Sequence, residues 1–414
     1  MRHCALRAAS VAALALQGFG QGAAFQTPGM PAYPAAPTIA ADADASQTSR
    51  FSSVFNPAFS FIVDATADYT DFDGGDDDGF ALELRTLEFT GHSWVDPTAW
   101  AYFVGATDGE SLNIEEAAVH YNGFGGNTTL RAGRFFVDFG KQMQIHVHEL
   151  RTLDRPLVLR TYLGDEIKGD GLQWDDWFGA SDETAVRWSV GAFQSLLPEE
   201  SEDFDSTTTA EELVDDRKSF GDLHFTARIT AFTDVGESGT FQLGASARLL
   251  PEYALEFGPS ADLVTGLSSE VYGIDATFGT VDDTGEKRWT FGAEYLLDCG
   301  DTGSAIDDAG TPGDPSDDTI TVLDDSVGGY YAFADYAWDR FHSTGVQYSA
   351  ARLADGSDTD VAEADVYYTR YLSEFHRVRF AVTAIDSDAD DADSVRFALQ
   401  YTAFVGAHGH GVNW

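Results

Sequence analysis

Residues 59–69, Phe-Ser-Phe-Ile-Val-Asp-Ala-Thr-Ala-Asp-Tyr, put an apolar or aromatic side chain at every second position from Phe59 to Tyr69. Ser60, Asp64, Thr66 and Asp68 fall between them. A repeat of two belongs to an extended strand, whose successive side chains point to opposite faces. The pattern returns at Trp100, Tyr102, Val104 and Ala106, at Val186, Trp188, Val190 and Ala192, and at Phe241, Leu243, Ala245 and Ala247. It closes the chain at Val395, Phe397, Leu399, Tyr401 and Ala403. Helical spacing is never sustained over comparable lengths, so the fold class is all-β.

Counting such segments predicts about sixteen strands, the first at 57–70 and the last at 394–405, most of them about 10–13 residues long. Strands of soluble proteins average about five or six residues, whereas a tilted strand needs about 9–11 to cross a bilayer. The connections carry a second rhythm. Longer acidic loops (71–78, 138–170, 195–219, 251–268, 299–326, 353–360, 386–393), with 108–111 the one brief member of their set, alternate with short turns (92–97, 123–126, 179–183, 233–238, 281–286, 339–341, 373–374). An even strand count with long loops on one side and tight turns on the other is the pattern of a transmembrane antiparallel β-barrel. A bilayer also demands a closed sheet, and sixteen strands predict a water-filled lumen rather than a packed core. With both chain ends on the periplasmic side, 138–170 is the third outer loop and the longest.

The N-terminus reads as an export signal over 1–24: Arg2 and Arg7, then the apolar run AASVAALALQGFG, then small residues up to Ala24. Residues 25–54, rich in Pro, Ala, Ser and Thr, read as a disordered lead-in, and 55–414 as the barrel. Removal of the signal takes Cys4 with it and is expected to leave Cys299 without an intramolecular partner. The 24 Lys and Arg against 69 Asp and Glu give a net charge of −45, which argues against nucleic acid as a partner. Lipid and small hydrophilic solutes or ions are the expected partners, in the outer membrane of a Gram-negative-type cell.

If the aromatic and aliphatic set faces lipid, the alternate set lines the lumen. Arg131, Arg187, Arg228, Arg248, Arg379 and Arg396 all fall on that alternate set. This placement suits a barrel, because an arginine facing lipid at the midplane costs about 2–4 kcal/mol. Arg370 falls on the other set, where a place near an interface is expected. Trp94, Trp100, Trp174, Trp177, Tyr330, Tyr331 and Trp338 are candidates for interfacial girdles.

One segment departs from the acidic background. Seven of the 24 basic residues, Arg131, Arg134, Lys141, Arg151, Arg155, Arg160 and Lys168, fall between 131 and 168. A third loop folded into the lumen would bring Lys141, Arg151, Arg155, Arg160 and Lys168 to a pore constriction. There they would face Arg131, Arg187, Arg228 and Arg248 on the wall, and rings of Arg and Lys favour anions. The same residues can instead pair with Asp138, Glu149, Asp154, Asp165, Glu166 and Asp170 and pin the loop to the wall.

The run from Gly133-Arg134-Phe135 through Phe139-Gly140-Lys141 and Asp154-Arg155-Pro156 to Gly169-Asp170-Gly171-Leu172-Gln173 resembles phosphate-selective porin O and P type proteins. The match is strongest over 131–174. The resemblance implies a sixteen-stranded, usually trimeric diffusion channel, general or anion-preferring, whose third loop narrows the pore. It implies no enzymatic activity and no cofactor. Two alternatives stand beside it. His146 and His148, and the tail pair His408 and His410, form His-x-His segments suited to Zn²⁺ or Cu²⁺ in a metal-related barrel. A barrel enzyme such as a phospholipase would need a nucleophile beside an oriented histidine, and the sequence carries no such motif.

Overall fold

The computed structural model describes residues 58–72, 78–196, 219–257, 262–307, 319–353, 359–373, 375–388 and 393–406. The expected signal, the lead-in, His408, His410 and Trp414 lie outside the described residues. Sixteen strands follow one another in chain order: β1 (Ala58–Phe72), β2 (Gly79–Asp96), β3 (Ala99–Thr107), β4 (Asn113–Tyr121), β5 (Thr129–Phe136), β6 (Lys168–Gly179), β7 (Thr184–Phe193) and β8 (His224–Val235). They continue as β9 (Gly239–Phe257), β10 (Asp262–Val281), β11 (Arg288–Asp307), β12 (Thr319–Asp339), β13 (His342–Arg352), β14 (Asp360–Ser373), β15 (His376–Ser387) and β16 (Ser394–Gly406). Each pairs antiparallel with the next, and β1 closes on β16 with Phe61 opposite Val405 and Tyr69 opposite Phe397. Closure satisfies every ladder and leaves no sheet edge, which is what a hydrocarbon environment requires. No helix among the described residues is long and apolar enough to cross a membrane, so any crossing is by strands.

Period two sets the faces as expected except on β3, where the apolar set Trp100, Tyr102, Val104 and Ala106 turns inward and Phe103 is the exposed residue. Phe59, Phe61, Phe80, Leu82, Phe380 and Phe397 point outward and are exposed, while Ser60, Asp64, Thr66, Asp68, Gln400 and Thr402 point inward and are buried. Arg370 is exposed beside the turn between β14 and β15, at the strand end where a long cation reaches polar headgroups. The aromatic candidates divide. Tyr330 and Trp338 lie outward, with Trp338 stacked 5.9 Å from Tyr368 near the short-turn end. Four others turn inward: Trp100 lies flat on the buried His120 and sits opposite Trp94, Trp177 stacks on Phe232, and the Tyr331 hydroxyl donates to Glu294. They fall on the lumenal register, which position in the sequence near a strand end does not reveal.

Two features exceed the expectation. Strands β9 to β12 run for 19 to 21 residues, so much of the loops placed at 251–268 and 299–326 is sheet continuing beyond membrane thickness. The lumen is also not an open water-filled tube at the level of the third loop. Phe135, Val137, Phe139, Met143, Val158, Leu159, Leu163 and Ile167 pack on Phe193, Leu250, Val271, Leu296 and Val327 of the wall, forming one apolar cluster inside the barrel. Burial of these side chains removes apolar surface from water and anchors the loop to the β7–β12 side. Cys299 is buried, and Cys4 lies outside the described residues.

Gly133 shows why the Gly-Arg-Phe piece needs its glycine. Its φ is +128°, and a Cβ there would lie 2.1 Å from the Ala117 carbonyl oxygen on β4. Gly133→Ala is therefore expected to cost on the order of 1–3 kcal/mol. The check is the fraction of protein that stays folded, and so migrates compactly, in unheated detergent gels; migration equal to wild type under increasing urea counts against the clash.

Candidate functional site

The third loop leaves β5, crosses the lumen and returns to β6. Its neck is closed by the Val137 amide donating to the Ile167 carbonyl at 3.0 Å. The Gly140 amide then donates to Ser246 Oγ on β9 at 3.0 Å, and Lys141 Nζ to Gln242 Oε1 at 3.1 Å. A 3-10 turn at Val147–Glu149 carries the chain to the opposite wall. There Arg377 on β15 donates to the His148 carbonyl, and Arg379 donates to the carbonyls of Leu150 and Thr152, both at 2.5 Å. Arg85 on β2 donates to the Leu153 carbonyl at 2.8 Å. A two-turn helix, α1 (Leu157–Leu163), completes the return, its Val158 amide on Ser349 Oγ (3.0 Å) and its Tyr162 hydroxyl on the Arg352 carbonyl (2.9 Å), both on β13. Irregular backbone is thus sustained inside a membrane-type barrel because the wall supplies its hydrogen bonds.

Lys141, Arg151, Arg155, Arg160 and Lys168 lie along this loop, but not in one ring, while Arg134 on β5 pairs with the exposed Asp170 of β6 at 2.9 Å. Arg155 is fully buried: it donates to the Ile145 carbonyl and pairs with Glu166 at 3.4 Å and Asp165 at 3.5 Å. Lys168 pairs with Glu166 at 3.6 Å. Burial pushes the Lys141 ammonium down to about 8, with Arg228 and Arg151 adding to the push and Asp275 resisting it. Arg151 reaches Asp335 on β12 at 3.4 Å, and Arg160 pairs with Glu363 on β14. On the wall, Arg131 lies 4.4 Å over the Phe135 ring, Arg187 pairs with Asp138 at 2.6 Å and with Asp175, Arg228 pairs with Asp275 at 2.6 Å, and Arg248 donates to Ser269 Oγ at 3.0 Å. Most of the positive charge therefore holds the loop in place.

The ion pairs are not symmetric toward water. Arg151 keeps 29% of its side chain exposed against 4% for Asp335, Arg160 20% against 3% for Glu363, and Arg396 26% against 8% for Asp68. In each the arginine is the more exposed partner and the carboxylate the buried one. The order is reversed at Arg155, which is fully buried against Asp165 at 48% and Glu166 at 16%, and at Asp154, 31% exposed and held between Arg85 (2.8 Å) and Arg396 (3.1 Å).

His146 and His148 are both buried and come together with the buried Glu88 of β2. His146 Nδ1 lies 3.4 Å from Glu88 Oε2 and 3.2 Å from Glu115 Oε2, its Nε2 lies 3.1 Å from Glu116 Oε1, and His148 Nδ1 lies 3.2 Å from Glu88 Oε2. Burial opposes protonation of His146, but Glu88, Glu115 and Glu116 outweigh it and hold the imidazole well above its usual range. Consecutive glutamates face one histidine because β4 bulges between Ile114 and Glu116 in its pairing with β3. A second irregularity, where β2 passes Asp64 and Ala65 of β1, sets Arg85 against Asp154.

The fold is that of outer-membrane porins. An anion-selective porin from Comamonas acidovorans superposes with a TM-score of 0.54 at 12% identity, over 85% of this chain and 99% of that one. The outer-membrane channel DcaP of Acinetobacter baumannii gives 0.53 at 14% identity, over 84% and 97%. OprB of Pseudomonas putida gives 0.53 at 11% identity, over 84% and 94%. No protein-family model matches the chain, and no curated protein matches it in sequence.

Proposed function

We propose that this chain is an outer-membrane porin, a passive diffusion channel for small hydrophilic solutes that prefers anions of about the size of phosphate. The observation that carries the reading is the set of lumenal ion pairs whose guanidinium is the water-facing member. An ion passing Arg151, Arg160 and Arg396 meets positive charge at contact range, with the compensating carboxylates screened behind it. The similarity to an anion-selective porin and the resemblance over 131–174 point the same way. The packed loop argues for a narrow path and small unitary conductance. The homotrimer implied by the resemblance belongs to this proposal and is read from the mass of the detergent-solubilised particle.

The deciding experiment is a planar-bilayer recording of the folded protein under a KCl gradient. Discrete conductance steps are expected, with the reversal potential displaced toward chloride. Steps displaced toward potassium would keep the channel and transfer selectivity to the acidic outer loops. Folded protein without steps would overturn the channel reading itself.

A further inference from the structure

The diffusion reading assigns no role to Glu88, His146 and His148, which bring two imidazoles and a carboxylate together inside the barrel. We propose that these three residues form a binding site for one divalent first-row transition-metal ion, zinc being the ion their donors suit, which clamps the tip of the third loop to strand β2.

Distance is the first argument. Zinc binds imidazole nitrogen and carboxylate oxygen at about 2.0–2.2 Å, so neighbouring ligand atoms of a tetrahedral site lie about 3.3–3.5 Å apart. The two measured edges, His146 Nδ1 to Glu88 Oε2 and His148 Nδ1 to Glu88 Oε2, are 3.4 and 3.2 Å. All three donor atoms lie within 4.8 Å of one another, and all three residues are buried. Small adjustments of the donors would seat an ion. Glu115 Oε2, 3.2 Å from His146 Nδ1, stands ready as a further donor or as the acceptor of a bound water.

Orientation is the second. Glu116 Oε1 faces His146 Nε2 at 3.1 Å and is itself fixed by Tyr102, whose hydroxyl donates to Glu116 Oε2 at 2.7 Å, and by the Phe136 amide at 3.2 Å. A carboxylate accepting the Nε2–H leaves Nδ1 as the lone-pair nitrogen. Such a carboxylate–histidine–metal relay is the usual second layer of a zinc site. Across the cluster the His148 backbone is held by Arg377, so the second imidazole is presented from a fixed turn. Charge is the third argument. Glu88, Glu115 and Glu116 set three carboxylates around the two histidines, a donor set that suits a dication. Two imidazoles with a carboxylate select against Mg²⁺ and Ca²⁺, which take oxygen donors.

The ligands come from separate parts of the chain, the wall and the loop, so the ion would join them as a cross-link. The test uses the full folded protein in detergent, stripped with chelator, titrated with ZnCl₂ and dialysed. One tightly held zinc per chain is expected, with X-ray absorption showing two imidazole ligands, and at least a tenfold loss of affinity in His148→Gln and in Glu88→Gln. Zinc that scatters as an all-oxygen site, or that binds H146Q/H148Q as tightly as wild type, would place the metal on the acidic outer loops and overturn the proposal. So would the absence of stoichiometric zinc on wild-type protein, a readout that needs no variant to fold. None of these outcomes depends on ion conduction, so the site and the channel reading fail separately.

Discussion

Replacing Arg379 by methionine is expected to release the inward loop from the β15 wall, raising single-channel conductance severalfold and making Arg151 a trypsin site in the folded barrel. Arg379 is 2% exposed and spends its guanidinium on backbone. It donates to the carbonyls of Leu150 and Thr152 and to Gln400 Oε1 at 2.8 Å, with Nε on Thr369 Oγ1 at 3.1 Å. Methionine nearly matches its length but supplies no donor. A buried carbonyl stripped of its partner costs about 1–3 kcal/mol, so two place the loop under a strain of roughly 2–6 kcal/mol. The apolar cluster on the β7–β12 side still holds the other half of the loop, so local opening rather than loss of the barrel is the predicted response. Arg377 on the same strand grips the His148 carbonyl and will keep part of the attachment, so R377M/R379M is expected to exceed either single variant. Unchanged conductance and continued protection of Arg151 in the double variant would show that the apolar cluster alone fixes the loop.

The strand count, the faces and the inward third loop were legible because each follows from a rule that acts along the chain. A lipid-facing side chain at every second position is a local constraint, and it placed Phe59 to Tyr69 and Val395 to Val405 on paired strands that close the barrel. Loop parity then identified 138–170. What the site does with its charges was legible only for near neighbours, as where Arg155 and Lys168 take Asp165 and Glu166. Arg160 finds Glu363 and Arg396 finds Asp154, partners 203 and 242 residues away that become neighbours only through barrel closure. Period two also conceals its own exceptions. The bulges that bring in Arg85 and Glu115 are single-residue slips that do not disturb the average alternation. Glu88 illustrates the limit well. Its place between Leu87 and Phe89 marks it as lumenal, but so are Asp64, Asp68, Glu116, Asp275 and Glu294, and only the path of the loop selects Glu88 as the neighbour of both histidines.

The second large effect concerns selectivity. Converting Arg151, Arg160 and Arg396 to glutamine together is expected to reverse the sign of the reversal potential, from chloride toward potassium. The three guanidinium groups are the exposed members of pairs with Asp335, Glu363 and Asp68, so the substitutions remove the outer charge and uncover the inner one. A unit charge about 8 Å from a passing ion contributes roughly 0.5 kcal/mol in water, so three shift the barrier by about 1.5 kcal/mol for each sign of ion. That is about a tenfold change in anion permeability and an opposite change for cations. At 1 M salt the screening length falls to about 3 Å, and the difference between variant and wild type should shrink accordingly. A parallel triple lysine variant separates charge from shape: it keeps three positive charges but loses the planar guanidinium, and it should retain chloride preference. If the glutamine variant forms channels with wild-type selectivity at 0.1 M salt, the exposed arginines do not set the ion preference. The paired charges around the third loop then serve only to hold it, and selectivity must be sought at the acidic rim.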